Sequence, residues 1–319
     1  MESLLIVVML TLCKHCLAVD SLRFLAMGDW GGLPFYPYDT PFEVAVAKQM
    51  ASVTETYKSS FNLALGDNFY FSGVKNVEDK RFQQTFEDVF HYEALYNPWY
   101  LVAGNHDHHG NVSAQIAYSN ISERWNFPNY YYKLEFKVGK GKTLDIIMID
   151  TVLLCGNTKH DSEGDQPEVS EKHRVEENQW IWIEQQLRSS KADYLLVAGH
   201  FPVYSIGVHG PTFCLVERLK PMLHKYKVSA YFNGHDHSLQ HVSYTENGHT
   251  VEYFTTGAAN VVDFSDAHKD KLPKDSLKFH WAKLFGGFAY VEATPQNMTM
   301  IFVDWMKRSL YQYTFPPRK

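Results

Sequence analysis

Nine short apolar runs, each five or six residues long and rich in Val, Ile, Phe and Tyr, recur along the chain with polar segments between them. They are LRFLAM (22–27), FNLAL (61–65), WYLVA (99–103), LDIIMI (144–149), DYLLVA (193–198), VSAYF (228–232), VEYFTT (251–256), FAYVEA (288–293) and MTMIFV (298–303). Runs of this length and composition predict strands buried on at least one face. Helical periodicity fills several gaps, over 41–59, 79–91, 176–190 and 215–227. The first of these helices has Thr40 as its cap and Pro41 in its first turn, a favourable start. Early β-α-β alternation, followed by strands alone near the end, predicts an α/β (α+β) chain with sheets sandwiched between helices. No repeat or linker divides it, so a single domain over 20–319 is expected.

Two segments break the pattern. The stretch 155–174 is polar, acidic in its middle and aperiodic, which predicts an exposed loop. At the N-terminus, Leu4 to Leu12 form an apolar core too short to span a bilayer. With small residues at Leu17-Ala18, it reads as a signal peptide over about 1–19, although the basic residue expected before the core is absent. No other apolar run approaches membrane length, so no membrane anchor is expected.

The net charge of -6 and the lack of a Lys/Arg tract argue against a nucleic-acid partner. Of four cysteines, Cys13 and Cys16 leave with the signal peptide. Cys155 and Cys214 remain, an even pair that reads as a disulfide in a secreted chain, with two buried thiols as the alternative. Sequons at Asn111, Asn120 and Asn297 agree with the secretory route.

The chemistry-bearing residues stand just past the strands. Five apolar runs each lead into a glycine and then Asp, Asn or His: GDW with Asp29, GDNFY with Asp67 and Tyr70, GNHD with Asn105 and His106, GH with His200, and NGHDH with His235 and His237. Glycine lets the chain turn and leaves room beside the next side chain. Ligand sites of α/β sheets lie beyond the carboxyl ends of the strands, so these groups are expected to converge. Oxygen and nitrogen donors without thiolate suit Fe, Mn or Zn. The donors are too many for one ion and about enough for two. Other histidines, His108, His109 and His241 among them, read as solvated neighbours.

The order GDW…GDNFY…GNHD…GHFPVY…GHDHS resembles the purple acid phosphatases, within the calcineurin-like metallophosphoesterases. The form LRFLAMGDWGG and the chain length are most similar to the small mammalian-type, tartrate-resistant members. The resemblance implies a four-layer αββα sandwich of two mixed β-sheets. It also implies an Fe(III) site of Asp29, Tyr70 and His237, and a second site of Asn105, His200 and His235 for Fe(II), with Zn or Mn possible. Asp67 would bridge them, and His106 and His209 would act as catalytic acids or phosphate binders. The implied reaction is hydrolysis of phosphate monoesters (phosphoproteins, nucleotides, aryl and alkyl phosphates) by metal-bound hydroxide at acid pH. The resemblance further implies a lysosomal or secreted monomer, with a Cys155–Cys214 disulfide and a 155–174 loop that restrains activity until a protease cuts it. The readings left beside this one are a metallophosphodiesterase and an iron-binding or redox protein with incidental hydrolysis.

Overall fold

The computed structural model describes residues 21–159, 162–168 and 174–318. The signal-peptide expectation, with Cys13 and Cys16, and loop residues His160 and Asp161 lie outside the described residues. The strands in chain order are β1 (Leu22–Met27), β2 (Phe61–Leu65), β3 (Trp99–Val102), β4 (Trp125–Asn126), β5 (Tyr132–Gly139), β6 (Lys142–Met148), β7 (Tyr194–Ala198), β8 (Ala230–Asn233), β9 (Leu239–Glu246), β10 (His249–Thr256), β11 (Leu277–Trp281), β12 (Gly287–Ala293), β13 (Met298–Asp304) and β14 (Ser309–Phe315). They form two seven-stranded sheets, β14-β13-β12-β1-β2-β3-β4 and β11-β9-β10-β8-β7-β6-β5. Both are mixed: β1 to β4 run parallel and β12 meets β1 antiparallel, while β6, β7, β8 and β10 run parallel.

Side-chain alternation along the central strands builds the layers. On β7, Tyr194, Leu196 and Ala198 join the core between the sheets, where Phe24, Phe61 and Phe232 also pack. Leu195 and Val197 point the other way, under Trp180, Ile183 and Leu187 of one helix and Leu215, Leu219 and Leu223 of another. Those helices are α5 (Arg174–Ser189) and α6 (Phe213–Lys225), preceded in the chain by α1 (Pro41–Tyr57), α2 (Asn105–His108), α3 (Val112–Tyr118) and α4 (Thr151–Cys155). Helix α1 lies over the first sheet, where Tyr57 packs on Tyr290 of β12. The result is the four-layer αββα sandwich.

Helix α1 starts as its sequence predicts: Thr40 accepts a hydrogen bond from the Glu43 N–H at 3.1 Å, and Lys58 ends it in the left-handed conformation. The helix expected over 79–91 is shorter and wider. Only Phe82–Glu87 is helical, in π register. There Phe82, Phe86 and Phe90 insert among Trp30, Trp99 and Trp125, so aromatic packing overrides α-helical spacing. The 155–174 loop is only partly exposed. Cys155 and Thr158 are buried, and α5 already begins at Arg174. The Gly164 N–H donates to the Val208 carbonyl at 2.9 Å and Gln166 to the Pro211 carbonyl at 3.1 Å. The Cys155–Cys214 disulfide joins the end of α4 to the start of α6.

Candidate metal centre

Each of the five strand–glycine–polar blocks behaves alike. β1, β2 and β3 of the first sheet end two residues or three before Asp29, Asp67 and Asn105; β7 and β8 of the second end two residues before His200 and His235. The carboxyl ends of both parallel sets therefore face one place. Asp29, Asp67 and His235 all have positive φ, 60°, 51° and 70°. Three donors in this costly region mark a backbone bent to aim side chains rather than for local comfort.

Two groups of donors result. In the first, the Tyr70 hydroxyl lies 3.2 Å from Asp29 Oδ1 and 3.0 Å from His237 Nε2, with His237 Nε2 3.5 Å from Asp29 Oδ1. In the second, His200 Nε2 lies 2.9 Å from Asn105 Oδ1 and 3.5 Å from Asp67 Oδ2. Ligand atoms of Asp67, His200 and His235 all fall within 4.8 Å of one another. The groups are stitched together by main chain: the His235 N–H donates to Asp29 Oδ2 at 2.8 Å, and the Asp29 N–H to the Gly66 carbonyl at 3.0 Å. His237, its side chain 23% exposed, is the wettest donor, so the centre opens on its side.

The chemistry of this set fits cations. Asp29 and Asp67 are buried, yet among the described residues only histidines pair with them and no Lys or Arg does. Buried carboxylates are costly without compensating positive charge. His200 is more specific. Its Nδ1–H donates to the Leu65 carbonyl at 2.8 Å, which can only accept. Its Nε2 therefore faces two acceptors, Asn105 Oδ1 and Asp67, and needs a proton or a metal ion between them. With protein groups alone the proton wins: burial opposes it, but the Asp67 charge and hydrogen bond and the Asp29 charge raise the His200 pKa to about 9. Burial likewise pushes Asp67 up, but the charges of His200 and His106 outweigh it and hold the carboxyl below its usual range. His235 is driven well below its ordinary value by burial and then by His209, His200, His237 and His106, which keeps it in the neutral, ligating form.

The two non-donor histidines are also here. His106 Nδ1 donates to the Phe71 carbonyl at 2.8 Å, leaving Nε2 3.9 Å from Asp67 Oδ2. The His209 ring stacks on His235 with centroids 4.1 Å apart. Thus Asp29, Asp67, Tyr70, Asn105, His106, His200, His209, His235 and His237 all gather at one end of the sandwich. Of the sequons, Asn111 and Asn120 are exposed and Asn297 is half-buried. Two histidines expected in solvent are not: His241 is buried, bonded to Glu252 and Tyr311, and His108 bonds Asp150 at 2.7 Å.

Sequence reading passed over the scaffold of the site. Buried Asp107 accepts from the Gly104 N–H at 2.8 Å and the Asn68 N–H at 3.0 Å, tying the GNHD turn to the GDNFY turn. Burial, and then the Asp67 charge, raises its pKa to about 6. Asp236 accepts from the His209 N–H at 3.0 Å and so holds that loop. Arg81, only 5% exposed, donates through its two terminal nitrogens to the carbonyls of Tyr70 and Gly31, clamping the loops that carry Tyr70 and Asp29. Asp107 and Asp236 stand inside the quoted motifs, where their spacing next to donors was the available signal. Nothing in the spacing of Arg81 marks it.

Two sheets that deliver carboxylate, imidazole, amide and phenol donors to one buried point define a metal-dependent hydrolase of phosphate esters. The chain belongs to the calcineurin-like phosphoesterase family, whose sequence model matches residues 22–239. It is 49% identical over 317 residues to tartrate-resistant acid phosphatase type 5 of Mus musculus, covering 98% of this chain and 96% of that one. Among solved structures it resembles GAP50, the anchor in the inner membrane complex of Plasmodium, with a TM-score of 0.79 and 25% identity over 94% of this chain and 90% of that one. The purple acid phosphatase of yellow lupin (Lupinus luteus) seeds shares the fold, with a TM-score of 0.64 at 15% identity over 93% of this chain and 54% of that one.

Proposed function

We propose that the chain is an acid phosphatase hydrolysing phosphate monoesters at a dinuclear centre, with Fe(III) held by Asp29, Tyr70 and His237. Asn105, His200 and His235 would hold a divalent partner, Fe(II) or else Zn or Mn, and Asp67 would serve both positions. The observation that carries this is the grouping of Tyr70 with Asp29 and His237 at 3.2 and 3.0 Å, a phenol placed among donors rather than in the aromatic core. Phenolate and carboxylate oxygens suit a hard trivalent ion. When bound, the two ions supply an acidified water nucleophile and Lewis acidity toward the phosphoryl oxygens.

The side chains supply the rest. His106 is held by the Phe71 carbonyl with its Nε2 turned inward, the atom that gives a proton to the leaving oxygen. His209, fixed against His235, donates to a phosphate oxygen. With its Nδ1–H committed to the Phe71 carbonyl, His106 gives a proton from Nε2 only as imidazolium, which favours an acid pH. An iron carrier would need neither residue.

We further propose that the chain is a monomeric single domain behind a signal peptide at about 1–19, in the secretory route to lysosome or exterior. The disulfide and the exposed sequons at Asn111 and Asn120 support the secretory route. A protease cut in the 155–174 loop raises activity; Asn157 of this loop donates to the carbonyl of Asn105 at 3.2 Å, a direct link to the centre.

Steady-state rates on p-nitrophenyl phosphate and bis-p-nitrophenyl phosphate across pH 4–8 test the function. The monoester is expected to be favoured by about 100-fold or more, roughly 3 kcal/mol in transition-state binding, with kcat highest below neutrality. A preference for the diester, or a maximum above pH 7, contradicts the assignment.

A further inference from the structure

The two groups of donors rest on different scaffolds. Arg81 clamps the loops of Tyr70 and Asp29, both in the first group. The second group is backed by the short helix α4. Thr151, the first residue of α4 and fully buried, accepts the Phe201 N–H through Oγ1 at 2.9 Å, directly after the donor His200. The fit there is close: a Cβ on Gly199, the residue before His200, would lie 2.7 Å from Thr151 Cγ2. Asp150, the buried cap of α4, turns toward the other donor. Its Oδ2 accepts from His108 Nε2 at 2.7 Å and its Oδ1 from the Leu153 N–H at 2.9 Å. His108 ends α2, the four-residue helix that Asn105 begins. The adjacent pair Asp150-Thr151 therefore ties the Asn105 helix to the His200 turn.

Helix α4 is itself fixed at both ends. The Asp150 N–H donates to Gln179 Oε1 at 2.9 Å, and the Asp150 carbonyl accepts from Gln179 Nε2 at 3.1 Å, so buried Gln179 of α5 holds its start. Cys155 at its end is bonded to Cys214 of α6. Such a strut matters because Asn105 follows β3 of the first sheet and His200 follows β7 of the second, so no strand pairing sets their 2.9 Å approach. Metal affinity depends on outer hydrogen bonds that hold ligands in place before the ion arrives.

Resting on the dinuclear reading above, we propose that His108, Asp150 and Thr151 are positioning residues for the second metal position. They set Asn105 against His200 and so the affinity for a divalent ion, and they leave the Tyr70 position alone.

The test titrates Zn(II) into the full chain holding iron at the first position, with bound zinc and iron read by elemental analysis after equilibrium dialysis. His108→Leu, which removes the bond to Asp150, is expected to weaken zinc binding about tenfold or more. His108→Gln, which keeps an N–H donor near the place of Nε2, should recover most of it. Thr151→Val, nearly isosteric and without the acceptor for Phe201, should weaken zinc as His108→Leu does and serves if that variant does not fold. Iron content and the visible band of the iron-loaded protein should stay at the parent values in all three. Leu187→Ala, a truncation in the core under α5, controls for lost stability: it should lower the melting temperature and leave zinc affinity unchanged. Parent-like zinc affinity in both His108→Leu and Thr151→Val overturns the proposal. So does loss of iron together with zinc, no recovery in His108→Gln, or equal weakening in Leu187→Ala. A parent that takes up no second ion beside its iron contradicts the dinuclear reading itself, and the strut falls with it.

Discussion

Glycine before each donor has a reason the sequence only half discloses. Only Gly66 of the five sits at clearly positive φ, +91°. At the others the demand is for space. A Cβ on Gly104 would lie 2.2 Å from Asp67 Oδ1, and one on Gly234 would lie 2.4 Å from Asp29 Oδ2. Gly104 and Gly234 therefore make room for a donor delivered by a different strand, as does Gly66, whose Cβ would lie 2.6 Å from His200 Nδ1, whereas Gly28 packs on Gly234 and Gly199 on Thr151 and Tyr231. Gly104→Ala should push Asp67 off its place at a cost of about 1–3 kcal/mol for overpacking. Metal content below that of the parent, with kcat/KM falling with it, is expected from elemental analysis and kinetics; unchanged content and melting temperature would show that the space is not needed. At this scale the donors were legible because each is polar where an apolar run stops. Arg81 was not, because its work is to hold main chain at another turn, which no local pattern records.

Among elements, the sequence reveals what is buried on both faces and hides what is not. All nine apolar runs became strands, while the four sheet edges, β4, β5, β11 and β14, went unseen. Edge strands keep polar and half-exposed residues and so lack a continuous apolar run. Internal β9 escaped for another reason: after Leu239 it carries the buried polar pair Gln240 and His241. His241 is bonded at 2.8 Å to Glu252 of β10 and at 2.9 Å to Tyr311 of β14, a polar clasp between the two sheets. Burial lowers its pKa against the opposing pull of Glu252. A depressed pKa contributes stability above the unfolded value, 6.5, and that stability is lost as pH falls through the folded value. His241→Gln should flatten the acid side of the stability curve, where one group gives up to about 1.4 kcal/mol per pH unit. Urea unfolding from pH 7 down to 5 reads this; parallel curves for parent and variant would mean the clasp does not titrate.

For the whole molecule, the sandwich matters because neither sheet owns the centre. Asp29, Asp67, Tyr70 and Asn105 come after strands of the first sheet, and His200, His235 and His237 after strands of the second. The sequence could place each donor at a strand end, but only the packing of the sheets sets Tyr70 against His237, 167 residues away. That meeting, with the phenol of Tyr70 bound to ferric iron, is the central claim. The visible absorption spectrum of the purified protein, beside that of Tyr70→Phe at matched iron content, tests it most directly. A broad phenolate-to-iron band in the parent that disappears in the variant is the predicted result. A colourless parent with both metal positions filled, or a band that persists without the phenol, would contradict it.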